Sequence, residues 1–142
     1  MKASNKTTNI SQKIILVNKD GKILTMRRGG TAPSRPGFWD LPGGDLDFGE
    51  DLKAGIIRET KEETGLDINS PTLLDVFSAF NDRNELWVTI CYFSKVENIE
   101  VKLSFEHDAF KWISPKEFQR LKVSPKNERF VRTFISKYIK HG

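Results

Sequence analysis

The 142-residue sequence predicts an α/β fold in a single domain, and three observations carry that prediction. The apolar runs Ile14 to Val17, Leu73 to Phe80 and Leu86 to Phe93 have the length and composition of strands able to enter a core. Between the first and second lies Asp51 to Thr64, a helical segment ended by Gly65, where a left-handed cap is wanted. A second helical pattern near the end repeats Phe130, Phe134 and Tyr138 every four residues, a stripe expected to face the core. With 37% hydrophobic and 30% charged residues, the chain is polar for a globular protein but far from the profile of a disordered one.

Residues 1–11 show no periodicity and are expected to form a loose tail. Lys13 to Val17 and Lys22 to Met26 flank Asn18-Lys19-Asp20-Gly21, a turn-forming cluster, and so predict a hairpin. The stretch from Arg27 to Gly49 is rich in Gly and Pro, with Trp39 to Leu41 a brief strand inside it. So long an irregular stretch in a small domain points to function. After the helix, Thr72 to Ala79 and Leu86 to Ser94 are strands joined by a turn at Asn81 to Asn84, and weaker strands are expected at Ile99 to Leu103 and Phe110 to Ile113. Ser114-Pro115 and Ser124-Pro125 each place a capping serine before a first-turn proline, predicting a short helix and the final one.

Several classes are excluded at this level. No apolar run approaches the roughly 18 residues of a membrane span, and the opening residues lack the apolar stretch of a secretory signal, so a cytoplasmic location is expected. Cys91 is the only cysteine, which removes internal disulfides and cysteine-based zinc sites; in its strand it is expected to be a buried, inert thiol. His107 and His141 have no metal-ligand partners at helical spacing and are expected at the surface. The net charge is +4, yet residues 43–66 hold seven acids and three bases, a local −4 that leaves +8 for the rest. An acidic pocket in a basic protein suits a site that holds cations and receives a polyanion.

The acids are concentrated on the first helix. At about 100° per residue from Leu52, Glu59, Glu62 and Glu63 fall near 340°, 280° and 20°, with Ile56, Ile57, Thr60 and Thr64 on the adjoining apolar sector. Like charges at this spacing cost about 0.2–0.5 kcal/mol per pair when exposed, and more when desolvated, so something should offset them. A solvated acidic face balanced by Lys53, Arg58 and Lys61 is the plain alternative. The border with the core, the small Gly55 one turn before Glu59 and the Gly-rich entry favour a site. Hard oxygen donors without His or Cys suit Mg²⁺ or Mn²⁺. The segment is not an EF-hand, because Gly49 and Ile56 stand where ligands belong, and Pro42-Gly43-Gly44 lacks the Gly-Lys-Ser/Thr ending of a P-loop.

What residues 44–66 do resemble is the Nudix box, G-x5-E-x7-R-E-U-x-E-E-x-G-U, with U a bulky aliphatic residue. Gly44, Glu50, Arg58-Glu59, Glu62-Glu63, Gly65 and Leu66 fill its positions. Thr60 stands at a U position, a departure that bears on helix packing more than on chemistry. The resemblance implies an α/β/α sandwich with a mixed β-sheet, a single Nudix hydrolase domain over residues 1–142. It implies that Glu59 and Glu63 bind a divalent ion, and that Glu62 is either a further ligand or the base that activates water. Arg58 would pair with a box glutamate and orient it, Glu50 being the expected partner. The backbone carbonyl of Gly43 would join the metal shell, and Glu106, six residues before Trp112, would supply a further metal-binding carboxylate.

The chemistry implied is a metal-dependent attack of water on phosphorus within a diphosphate. Arg27, Arg28 and Arg35 lie upstream of the box and suit outer phosphates through arginine's planar fork. Phe38, Trp39 and Phe80 are candidates to stack on a base, although for Trp39, Trp87 and Trp112 the core reading is favoured. The expected substrate is a small-molecule nucleotide, a nucleoside triphosphate first, oxidised ones included, then dinucleotides or ADP-ribose, handled by a monomer or homodimer away from membranes. The nine bases and two acids of residues 111–142 suggest RNA 5′ ends as another enzymatic substrate. A non-catalytic nucleotide-sensing domain is the alternative of a different class.

Overall fold

The computed structural model describes residues 7–139. In chain order it contains β1 (Thr8–Val17), β2 (Ile23–Arg28), β3 (Trp39–Asp40), β4 (Gly43–Asp45), α1 (Leu52–Thr64), β5 (Thr72–Phe80), β6 (Leu86–Lys95), β7 (His107–Ile113), α2 (Pro115–Phe118) and α3 (Pro125–Tyr138). The seven strands form one mixed sheet with the path β3-β2-β1-β6-β5, while β4 pairs with β1 and β7 with β2. Among the described residues no helix is long and apolar enough to cross a membrane.

Strand β1 is the spine. It runs parallel to β6 over its whole length, from Thr8 opposite Leu86 to Val17 opposite Lys95, and antiparallel to β4. Alternation then buries it on both faces. Ile14 and Leu16 join Leu24, Met26, Ile56, Leu66 and Tyr92 in the core beneath α1, whereas Ile15 joins Ile23, Leu41, Cys91, Phe130 and Phe134 beneath α3. A strand covered on both sides reads as an unbroken apolar run, which is why Ile14 to Val17 shows no alternation.

The α1 boundaries follow local chemistry. Asp51 accepts a hydrogen bond from the Ala54 amide, and Gly65 closes the helix with φ of 75° and its N–H on the Lys61 carbonyl. Thr60 is fully buried, and its hydroxyl is satisfied by the Ile56 carbonyl at 2.7 Å, so the unusual threonine costs the helix no orphan polar group. Serines 114 and 124 cap α2 and α3 as their spacing predicts, the former in a full capping box.

Several expectations are corrected. Residues 8–11 are not tail but the first part of β1, held by β6 and β4; residues 1–6 and His141 lie outside the described residues. The Asn18 turn forms, with the Asn18 side chain accepting from the amides of Asp20 and Lys22, but the β1–β2 ladder is a single pair, Val17 opposite Ile23. Ile99 to Leu103 is irregular, with Val101 and Leu103 packing on the α1-side core from a loop. Strand β5 lies at the sheet's edge, so Leu73, Val76 and Phe80 stay exposed instead of entering the core. Tyr138 is likewise half-exposed, stacked on Phe93 and Phe134 at the rim.

Candidate functional site

The turn Leu41 to Gly44 delivers the backbone to the acidic helix. Gly43 has φ of 145°, and a Cβ there would sit 2.0 Å from the Gln12 carbonyl oxygen, so only glycine allows β4 to lie this close to β1. Its amide donates to Glu63 Oε1 at 2.8 Å. A Cβ at Gly44 would lie 2.5 Å from Glu59 Oε2. The missing side chain at Gly44 therefore makes the room that the sequence suggested for Gly55, whose own missing Cβ is closely faced by Gln12, Leu46 and Glu50. Glu59 and Glu63, one helical turn apart, thus face the same Gly-Gly segment.

The three acids meet different environments. Glu63 is 6% exposed, and burial pushes its carboxyl up to about 7 despite the opposing pull of Lys13 and the Gly43 amide. Burial also raises Glu59; Arg58 opposes this, while the charges of Glu62 and Glu106 add to it. Glu62 points outward with 57% of its side chain exposed. Among the described residues no three acidic, His or Cys side chains stand as a ready-made metal cage. What the site offers is a pair of hard carboxylates whose burial is not balanced by the cations at hand, a donor set suited to Mg²⁺ or Mn²⁺.

Arg58 organises the outer side. It grips Glu50 with both arms, Nε to Oε2 at 2.7 Å and Nη2 to Oε1 at 2.9 Å, as the sequence suggested, and Nη1 reaches Glu59 at 3.1 Å and Glu62 at 3.2 Å. This fork holds the Glu50 carboxyl down to about 2.

The other predicted residues divide. Glu106 is exposed on the loop before β7, near enough for its charge to act on Glu59, and its carbonyl accepts from Gly29. Arg27 pairs with Asp108 at 2.7 Å, and Arg28 bonds the Ser34 carbonyl and Asp40. Arg35, with φ of 47°, is exposed on the Gly- and Pro-rich stretch. Phe38 and Trp39 are half-buried under cations: Lys122 lies 4.7 Å from the Phe38 ring centre, and Lys111 lies 4.8 Å from that of Trp39. Phe80 is exposed at the end of β5. Next to the box loop, an open groove of about 360 Å³ is instead lined by Ile10, Asp45, Phe48 and Trp87, and Phe48 projects fully into solvent. The C-terminal bases are partly engaged at home, Arg129 with Asp75 and Arg132 with Glu128, both at 3.2 Å.

A buried polar group beneath the turn escaped the sequence reading. Asp40, 5% exposed, takes Lys13 Nζ at 3.0 Å and Asn127 Nδ2 at 2.7 Å. Burial pushes this carboxyl up, but Lys13 and the surrounding donors outweigh it and hold it well below the usual carboxylate range. His107, expected at the surface, is 6% exposed with Nε2 3.9 Å from Asp40; β7 carries it inward because its Arg28 pairing turns that end toward β2. The signal for Lys13 was present: alternation puts it on the face of Ile15, where a cation needs a buried partner.

Comparison with known proteins agrees with this geometry. The NUDIX domain family model matches residues 8–134. The crystal structure of a MutT protein from Methanosarcina mazei Go1 superposes with a TM-score of 0.83 at 30% identity, covering 97% of this chain and 100% of that one. A "MutT-like protein" of Streptomyces ambofaciens is 31% identical over 103 residues, 72% of this chain and 62% of its own length. An 8-oxo-dGTP diphosphatase of Proteus vulgaris is 40% identical over 62 residues, 43% of this chain and 53% of its own. This chain thus spans about three-fifths of the Streptomyces relative and half of the Proteus one. With the box filled, Glu59 and Glu63 facing the Gly-Gly turn and the family model matching residues 8–134, the chain belongs to the Nudix family, of the MutT-like kind.

Proposed function

We propose that this protein is a divalent-metal-dependent pyrophosphohydrolase that cleaves a diphosphate linkage in nucleoside diphosphate derivatives, nucleoside triphosphates foremost. The observation that carries this reading is the pair formed by half-buried Glu59 and buried Glu63, one helical turn apart against Gly43–Gly44, both pushed toward the protonated form chiefly by desolvation. A bound Mg²⁺ or Mn²⁺ would supply positive charge there and, when present, neutralise phosphate oxygens and acidify water. Glu59 and Glu63 would hold it with the Gly43 carbonyl, and Glu106 would join from the far loop. Glu62, exposed and steered by Arg58, would take the proton of the attacking water. Arg28 and Arg35 would receive outer phosphates, and the groove beside Phe48 and Trp87 offers aromatic surface for the base.

The test is a panel of nucleoside triphosphates, oxidised triphosphates, dinucleoside polyphosphates, ADP-ribose and 5′-triphosphorylated RNA, each with Mg²⁺ and with Mn²⁺ at neutral and alkaline pH. Metal-dependent release of a mononucleotide and a phosphate-bearing product is expected, and lost about 10²–10⁴-fold in Glu62→Gln. Saturable nucleotide binding without turnover would instead make the domain a sensor.

A further inference from the structure

Asp40 collects donors from four separate parts of the chain. Its Oδ1 accepts from Lys13 Nζ of β1 at 3.0 Å, from the Leu41 amide at 2.9 Å and from Asn127 Nδ2 of α3 at 2.7 Å. Its Oδ2 accepts from Arg28 of β2 at 3.3 Å, and its backbone carbonyl from the Thr25 hydroxyl at 2.9 Å. All of these partners lie outside the acidic helix. They converge on the turn that touches it: Lys13 also donates to the Leu41 carbonyl at 3.1 Å, the Ile14 amide bonds the Pro42 carbonyl at 2.9 Å, and the next residue is Gly43, whose amide meets Glu63.

A buried ion pair is a poor source of stability, since apolar residues of equal volume often do as well. What Asp40 adds is a fixed direction for the peptides that follow it. We propose that Asp40 is a positioning residue, which through Lys13, Asn127 and Arg28 locks the Leu41–Gly43 turn so that the Gly43 amide holds Glu63 in its metal-binding orientation. The inference rests on the metal role proposed for Glu63. It makes the start of α3 part of the machinery: Asn127 ties that helix to the turn across 87 residues of sequence. Outer partners of ligands commonly matter this much, as misplacement by a fraction of an ångström weakens the site.

The experiment uses the full chain without nucleotide. Mn²⁺ affinity and the backbone amide resonance of Gly43 are compared between wild type and Asp40→Asn, which keeps the size of the side chain and removes its charge. Mn²⁺ binding weaker by about 10–100-fold and a displaced Gly43 resonance are expected, with kcat on the best nucleotide falling more than KM rises. A folded Asp40→Asn protein with wild-type Mn²⁺ affinity and an unmoved Gly43 resonance overturns the proposal. If Asp40→Asn does not fold, Asn127→Ala takes its place, removing one bond only. It should weaken Mn²⁺ by about 3–10-fold and move the same resonance, and no change in either overturns the proposal. A wild-type protein that binds no Mn²⁺ defeats the metal reading, and the Gly43 resonance then decides the role of Asp40 alone.

Discussion

Asp40 and Glu63 are equally buried, 5% and 6% exposed, and lie on either side of the same turn, yet they carry charge on opposite terms. Asp40 is saturated with donors, two of them cations, and stays ionised far below the usual range. Glu63 has one amide and the more distant field of Lys13, and holds its proton up to about 7. Burial alone therefore does not set the state of an acid here; the local count of donors does. The difference separates a finished structural anion from one still short of positive charge, and the metal role proposed for Glu63 rests on that contrast.

The strongest way to break this comparison is to empty each position in turn. Asp40→Ala strands Lys13 and Arg28 without their buried partner and should cost about 3–5 kcal/mol in urea unfolding. Glu63→Gln should act in the opposite direction, stabilising the metal-free protein at pH 8 by about 1–3 kcal/mol. Two losses of similar size would erase the distinction.

Titration sharpens it. The folded state keeps the Glu63 proton to about 7, against an ordinary 4.5, so it binds more protons than the unfolded chain between those values. Metal-free stability should therefore carry a Glu63 contribution that is full below about 4.5 and lost as pH rises through 7, and Glu63→Gln should flatten that slope. Saturating Mg²⁺ at about 100 times its Kd should return about 2.7 kcal/mol at pH 8, read as a raised Tm in wild type and a smaller rise in Glu63→Gln.

A smaller effect is expected at Gly44→Ala. The new methyl meets only the flexible end of Glu59, so unfolding should shift by about 1 kcal/mol or less while Mn²⁺ affinity falls. Smallest is Glu50→Gln, seen on the acid limb. Glu50 ionises at about 2 when folded, so its support from Arg58 is present above 4.5 and lost as pH falls through 2. The variant should lose part of that acid dependence and be nearly neutral in metal affinity.

What was legible in the sequence was whatever local chemistry fixes. Asp51 and Gly65 bound α1, Ser114 and Ser124 announced their helices, and the spacing of Glu50 and Arg58 gave their pairing. The unread parts depend on partners far along the chain. Thr8 to Ser11 become a strand because β6 supplies the parallel partner some 78 residues later, so no nearby pattern reveals them. A separation of 87 residues hides Asn127 from Asp40, and the burial of His107 depends on its pairing with β2, which no local pattern announces. Phe48, a lone aromatic in a polar loop, was the one local signal left unused for the groove.

The parallel ladder between β1 and β6 also dictates when the molecule becomes competent. Lys13 lies opposite Cys91 in that ladder, which joins segments 78 residues apart, a slow kind of contact to form. The divalent-ion affinity proposed for Glu59 and Glu63 should thus emerge in the last kinetic phase of refolding, where its appearance would time completion of the native topology.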